Sequence, residues 1–385
     1  MKRLIFPRLS LNSLAMLLLL LLTAACAPVP PPSSAAPIMD MASGWQYCWG
    51  DSPVGSDGVK TWLHDAPSDP GWQNLEQLSQ LGSQRGERIL WLRVRLPAGP
   101  WRDPAIFMDS VDQGLEAYLG KKLIYSAGLI DRSGNEPALG TIHHMIHLPT
   151  DFAGQTLSLR FYSQYNTIGP RTGVFLGEHA DHLLNILYVD IDRFILGNLL
   201  LVISLVALVL FIGLTDKKAY LAMAVFSAAA GTFIIFRTQL VELFVTSTFI
   251  QEYSKLASVY LLPVGLAAFF EQVVTPGPWA VIRRLWQVHL GYTVAAIGLA
   301  LLGVVQLLNT VLPYEVLVAI TLVTLVTVSA RESLRGNIDA RLFTLGYAIV
   351  LVFGLLEIID DLGGIDLPRR VIHWGVLGFV AVLVL

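Results

Sequence analysis

From residue 194 to residue 385, long apolar runs alternate with short charged loops, whereas residues 38–180 mix brief apolar stretches with polar and turn residues. The runs are Phe194–Leu214, Ala219–Phe236, Tyr253–Val274, Leu285–Leu308, Pro313–Ala330, Leu342–Ile359 and Val371–Leu385. All but the last approach the ~20 residues that a helix needs to cross a hydrocarbon layer about 30 Å thick. They predict an α-helical bundle of seven transmembrane spans. Just ahead of the first span, Leu183, Leu184, Leu187 and Ile191 lie at helical spacing. That spacing predicts a juxtamembrane helix from about His179, packing its apolar face on the bundle or on the preceding domain.

The front half follows a different period. Trp91, Arg93 and Arg95 alternate with Leu92, Val94 and Leu96, as in a strand with one buried face. Leu115–Leu119, then Gly120-Lys121-Lys122, then Leu123-Ile124-Tyr125 reads as a β-hairpin turning at a glycine. Thr141–Leu148 and Thr156–Ser163 are two further strand candidates. Strands at this spacing predict a β-sandwich or jelly roll over residues 41–178, with residues 179–385 forming the juxtamembrane helix and the seven-transmembrane region.

The amino terminus has export-signal anatomy. Lys2, Arg3 and Arg8 precede the short apolar core Leu14–Leu22, and Thr23-Ala24-Ala25-Cys26 follows. Residues 1–27 therefore read as a signal peptide. Two fates stay open for Cys26: removal at an ordinary small-residue cleavage site, or lipidation at a lipobox. Residues 28–40 are rich in proline, serine and alanine and read as an extended tether. With Cys26 acylated or removed, Cys48 has no disulfide partner.

Charge then sets the topology. With the β domain exported, the loops facing inward carry Lys217, Lys218, Arg283, Arg284, Arg331, Arg335 and Arg341, and the outward side carries Arg237, Lys255, Arg369 and Arg370. The excess lies inside, as the positive-inside rule requires, and agrees with the export signal. The expectation is a multi-pass protein of a bacterial inner membrane, its amino-terminal domain periplasmic and its carboxyl terminus cytoplasmic. The last run is only 15 residues, about 22 Å of helix, so the chain is expected to stop partway through its seventh span. Charged residues are 14% of the whole, against about a quarter in a soluble domain. The formal net charge of −3 is small and the sequence has no basic patch suited to nucleic acid, so no nucleic-acid partner is expected.

Trp45–Gly50, Trp72, Trp91–Val94 and Asp112–Tyr125 together resemble a known extracytoplasmic module. It is the galactose-binding-like jelly roll in front of bacterial seven-transmembrane receptors with diverse intracellular signalling modules. The resemblance covers most of residues 45–385. It departs at Gly120-Lys121, where the family usually has an Asn-Gly-type turn. It implies a cytoplasmic histidine kinase, diguanylate cyclase, nucleotide cyclase or phosphatase module that this chain lacks, and nothing in the residues chooses among them.

Six of the nine tryptophans fall in the front half. Trp45, Trp49 and Trp91 read as core. Trp62, Trp72 and Trp101, in loops rich in Pro, Gly and Asp, are the ligand-stacking candidates. In the bundle, Glu357, Asp360 and Asp361 share a helical face at the outer end of the sixth span, near Arg237 and Glu242, Lys255, Arg369, Arg370 and His373. Glu357, Asp360, Asp361 and Arg237 are candidates for a charged, ligand-binding vestibule. Glu271, Glu315 and His289 read as packing residues, and Asn198 as an interhelical hydrogen-bond donor. Ala228–Gly231, Gly291, Gly298 and Gly303 read as close helix approaches.

His143 and His147 share a strand face and His144 opposes them, but no third ligand is evident, so no metal is expected. No phosphate-binding loop, nucleophile elbow or H-E-x-x-H occurs, so neither a cofactor nor enzymatic activity is expected in this segment. The reading is a signal-transduction receptor. Its ligand is a periplasmic small molecule, carbohydrates included, or a partner protein, and its expected state is a homodimer. The rivals are a transporter or channel component, which needs a polar path through the spans, and a membrane-anchored binding protein, for which one span suffices.

Overall fold

The computed structural model describes residues 37–64, 71–78, 81, 86–111, 114–128, 142–163, 168–170, 173–213, 218–245, 247–361 and 371–384. The side chains of residues 109–111, 142, 308, 357, 358, 360, 361, 383 and 384 are excepted. The signal peptide with Cys26, most of the 28–40 tether, and Arg369 and Arg370 lie outside the described residues.

The described chain divides into two units. One is Pro31–Tyr188 with Glu242–Glu252; the other contains Val189–Val241 and Tyr253–Leu385.

The first unit is a β-sandwich. Among the described residues its strands are β1 (Met39–Asp40), β2 (Trp45–Trp49), β3 (Gln73–Leu75), β4 (Ile89–Arg95), β5 (Pro104–Val111), β6 (Gly114–Leu119), β7 (Lys122–Ala127), β8 (Ile142–His147), β9 (Thr156–Tyr162) and β10 (Val174–Glu178). A four-stranded sheet runs β1-β10-β5-β8 and a six-stranded sheet β3-β2-β4-β9-β6-β7. Every pairing is antiparallel. The core lies between the sheets. Ile106, Met108, Ile146, Val174 and Leu176 from the smaller sheet meet Leu90, Leu92, Leu115, Leu159 and Phe161 from the larger. These side chains are at most marginally exposed, and burying each contributes about 1.5–3 kcal/mol. The hairpin turns where the sequence predicts it. Leu119 pairs with Lys122 across Gly120-Lys121, and Gly120 takes φ +56°, which a residue with a Cβ adopts only at a cost.

The second unit is helical. The long helices are α1 (His179–Gly213), α2 (Lys218–Phe236), α3 (Thr248–Val273), α4 (Val281–Leu301), α5 (Val311–Leu334), α6 (Ile338–Asp361) and α7 (Ile372–Val384); the chain passes from one unit to the other within α1. Five of them, α1, α2, α3, α5 and α6, are long and apolar enough to cross a membrane. The shorter apolar stretch Ile372–Val382 lies in α7. Its core joins Leu200, Phe226, Phe270, Leu325, Phe343 and Phe379.

Several sequence expectations change here. The juxtamembrane set does not form the packed face of α1: Leu183 is half-buried, Leu184, Leu187 and Ile191 are exposed, and His182, Ile186 and Asp190 are buried. Asn198 donates to the Phe194 carbonyl of its own helix, 2.8 Å away, not to a neighbour. The close approaches are at Gly231, where a Cβ would come 2.6 Å from the Gly197 carbonyl, and at Gly265, where it would come 2.4 Å from the Phe226 nitrogen. Gly291 and Gly298 have nothing within 4 Å of that position, and Gly303, at φ +71°, follows the end of α4.

Candidate functional site

The alternation of β4 sends Leu90, Leu92 and Val94 into the core and turns Trp91, Arg93 and Arg95 to the outer face of the six-stranded sheet. Strand register then assembles rows across that face. Cys48, Trp91, Arg160 and Glu116 are successive partners on β2, β4, β9 and β6. Gln46, Arg93, Ser158 and Tyr118 form the next row.

Arg160 is the hub of the first row. It is 7% exposed, so its charge needs partners close by. Its Nε and Nη2 donate to the two carboxylate oxygens of Asp51 at 3.0 and 2.7 Å, a bidentate pair. Its Nη1 donates to Glu116 at 3.0 Å, and the Tyr118 hydroxyl donates to the same Glu116 oxygen at 2.7 Å. Lys60 approaches Asp51 at 3.6 Å. Burial alone would raise the pKa of Asp51, but the Arg160 hydrogen bonds and charge, with Lys60 and the Ser52 N–H, hold it below the usual carboxylate value. Burial and Glu116 push the Tyr118 hydroxyl upward.

An aromatic cluster sits beside this network. Trp91 stacks on Tyr118 at 5.8 Å, and Trp62 meets both Trp91 and Trp72 edge-on at 6.0 Å. Arg93 lies 4.1 Å over the Trp72 ring, a cation–π arrangement, and its Nε donates to the Gln46 side chain at 2.8 Å. The indole N–H groups of Trp72 and Trp91 are buried without a hydrogen-bond partner among the described residues. Arg93 also borders a groove of about 570 Å³ lined by Gln46, Asn74, Glu76, Arg95 and Thr156. Its rim offers amide donors and acceptors, a carboxylate and two guanidinium forks, the groups that grip hydroxyl- or carboxylate-bearing small molecules.

The candidates chosen from the sequence separate. Trp62 and Trp72 come together on this face. Trp101 does not: it is 8% exposed, joins the inter-sheet core and packs against Phe152 at 6.3 Å. Trp91 is fully buried as expected, yet in the outer aromatic cluster and not between the sheets. Arg237 is exposed at the end of α2 with its guanidinium 5.4 Å from the Phe233 ring. The side chains of Glu357, Asp360 and Asp361 lie outside the described residues. Glu242 belongs with the β unit. It accepts the His143 N–H at 3.1 Å and lies 2.6 Å from His143 Nδ1. Glu271 holds Arg283 and the Trp286 N–H at 2.6 and 2.7 Å, and His289 meets Thr321 at 2.9 Å; both are packing contacts.

Sequence reading missed Asp51, Lys60, Glu116 and Arg160. A signal was present, because Arg160 is the only charge within the strand Thr156–Tyr162. It also missed Asp190, whose buried carboxylate pairs with Arg193 at 2.7 Å and accepts the N–H groups of Gln239 and Leu240, and Asp192, 3.2 Å from His373.

The family model described as 7TM diverse intracellular signalling matches residues 191–385. Among solved structures, a Bacteroides uniformis β-glucuronidase 2 aligns at 12% identity and a TM-score of 0.27, over 37% of this chain and 18% of that one. A putative β-galactosidase from Bacteroides fragilis aligns at 11% identity and 0.26, over 37% and 23%. A Ruminococcus gnavus β-glucuronidase aligns at 12% and 0.27, over 38% and 29%. This chain thus spans less than a third of each enzyme, and at such scores nothing about sugars follows. No curated protein matches this chain.

Proposed function

This chain belongs to the 7TM diverse intracellular signalling family, a family of seven-transmembrane receptors, and from that premise we propose that it is an inner-membrane receptor whose β-sandwich senses a small molecule outside the cytoplasm. Recognition would occur on the outer face of the six-stranded sheet. There the Trp72–Arg93 pair offers a flat cationic edge, and the adjoining groove offers hydrogen-bonding groups of both kinds. Carbohydrates and carboxylate-bearing metabolites fit that chemistry. Binding would relay to a cytoplasmic output module through the spans, by favouring one of two arrangements for which the ligand has different affinities. The signal peptide, the periplasmic position of the sandwich and the homodimeric state belong to the same proposal.

The observation that supports the reading is the joining, in one polypeptide, of a receptor-family bundle to a sandwich carrying a polar–aromatic face. The test is tryptophan-fluorescence melting of the detergent-purified full chain against neutral sugars, sugar acids and amino acids. A ligand at a hundred times its Kd stabilises by about 2.7 kcal/mol, a rise of roughly 5–10 °C, and Trp72→Ala or Arg93→Ala should abolish it. No rise with any compound, or a rise that both variants retain, would refute sensing at this face. Alkaline phosphatase fused after residue 176 should be active and one fused after Lys218 inactive; the reverse would overturn the orientation.

A further inference from the structure

The end of the four-stranded sheet gathers three metal-ligating side chains that the sequence keeps far apart. Asp103 immediately precedes β5, His147 is the last residue of β8, and His179 follows β10 as the first residue of α1. Register brings them level, because β5 lies between the other two strands, with Pro104 opposite Glu178 and Ala105 opposite His147.

The backbone holds the trio in place without using its side chains. The Glu178 carboxylate accepts the N–H groups of Arg102 and Asp103, both at 2.9 Å. The Asp103 carbonyl accepts the His179 N–H at 2.9 Å. The turn before β5 and the start of α1 are therefore tied together, and the Asp103 carboxylate and two imidazoles are left facing one another.

Their spacing is the telling feature. His147 Nδ1 lies 3.6 Å from one Asp103 oxygen, and His179 Nδ1 lies 3.6 Å from the other. Both separations exceed hydrogen-bond length. All three ligand atoms lie within 4.8 Å of one another, and the two imidazole rings are 4.3 Å apart between centroids. Metal–nitrogen and metal–oxygen bonds of about 2.0–2.2 Å put neighbouring ligands on a tetrahedral ion roughly 3.3–3.6 Å apart. Each imidazole stands at about that distance from its own Asp103 oxygen, and with one oxygen as the ligand the three atoms still lie within 4.8 Å of one another.

We propose that Asp103, His147 and His179 bind a divalent transition-metal ion, zinc being the best match to two imidazoles and one carboxylate. Three protein ligands leave a fourth position for water or a ligand group. The side chains of Asp103 and His147 are 59% and 57% exposed, so an ion can enter from solvent. The amino-terminal end of α1 disfavours a cation, and the Asp103 charge offsets it. His143 and His144 take no part. His143 is engaged by Glu242, and His144 is buried against the Tyr125 hydroxyl at 2.9 Å. The site stands apart from the aromatic face, on the other sheet, and does not depend on the ligand assigned there.

The test uses the full chain in detergent, purified through a tag without histidines and stripped with a chelator. Zinc titration calorimetry should give one equivalent per chain. Cobalt should give the visible absorption of a tetrahedral site, and zinc should displace it. His147→Ala and His179→Ala should each weaken binding at least ~10-fold, as should Asp103→Asn. His64→Ala, at a half-buried histidine that pairs with Asp57, should leave binding unchanged. Unchanged melting in the absence of metal would show that the variants remain folded, which the exposure of Asp103 and His147 favours. The absence of saturable zinc binding, or equal binding by His147→Ala, His179→Ala and the parent chain, would overturn the proposal.

Discussion

Replacing Arg160 with methionine removes the hub of the outer-face network while keeping much of its aliphatic volume. The parent side chain is 8% exposed and donates to both Asp51 oxygens and to Glu116, whose side chains are 26% and 18% exposed. Breaking a fully buried network by removing one partner costs about 3–5 kcal/mol, and a fully exposed pair is worth about 0–1 kcal/mol. Water reaches both carboxylates here, so the expected loss is about 2–3 kcal/mol. For a domain of this size that lowers the melting temperature by roughly 4–12 °C. Tryptophan fluorescence reads the transition, since Trp62, Trp72 and Trp91 pack beside the network. The pH dependence supplies a second signature. The pKa of Asp51 is lowered in the fold from an ordinary 3.8, so its contribution is complete above that value and is lost as pH falls through the lowered one. The gap between variant and parent should therefore be full at neutral pH and start to close below about pH 4. A drop of less than about 2 °C at neutral pH, or a gap that is constant down to about pH 3, would refute the reasoning.

Two further outcomes are expected. Burial, and the neighbouring charge of His143, push His144 from 6.5 down to about 4; the unfolded chain then takes up a proton that the fold refuses, and stability falls as pH drops from 6.5 towards 4, by up to about 3 kcal/mol. His144→Gln should flatten that limb of a denaturation-versus-pH curve, and an unchanged slope would contradict the assignment. In the bundle, Gly265→Ala drives a methyl group into the Phe226 backbone and should lower the yield of monodisperse protein on size exclusion after a heat step. Gly291→Ala, with open space around it, should match the parent, and equal behaviour of the two variants would contradict the packing.

The sequence discloses the features that depend on local period. The hairpin around Gly120-Lys121, the inward set of β4 and the apolar runs are all visible in it, because alternation and length reflect which face is dry. The outer face of the larger sheet is much less visible. Arg160 meets Asp51 only through folding, and nothing local marks the two as partners. Trp91 lies on the face that alternation reads as wet, but the stretch around Lys60 and Trp62 covers it. On α1 the apolar stripe misleads for a specific reason. Helix α1 is apolar on more than one side: Leu184, Leu187 and Leu199 face outward, while Leu196 and Leu200 are buried beside the small and polar Gly197 and Asp190, so apolar spacing alone does not pick out the packed face. His147 meets Asp103 and His179, from the turn before β5 and from the start of α1, beyond the reach of spacing rules.

Trp91 and Arg160, paired across β4 and β9, carry one more consequence. Sliding a strand by one residue normally fails because it exchanges wet and dry side chains. Here that safeguard is weak, since neighbours facing opposite ways are both buried, Trp91 and Leu92 on β4 and Ser158 and Leu159 on β9. A slipped β9 would instead aim Arg160 at the dry layer between the sheets, far from either carboxylate. The guanidinium thus acts as an alignment pin, penalising misthreaded pairings that hydrophobicity alone would tolerate.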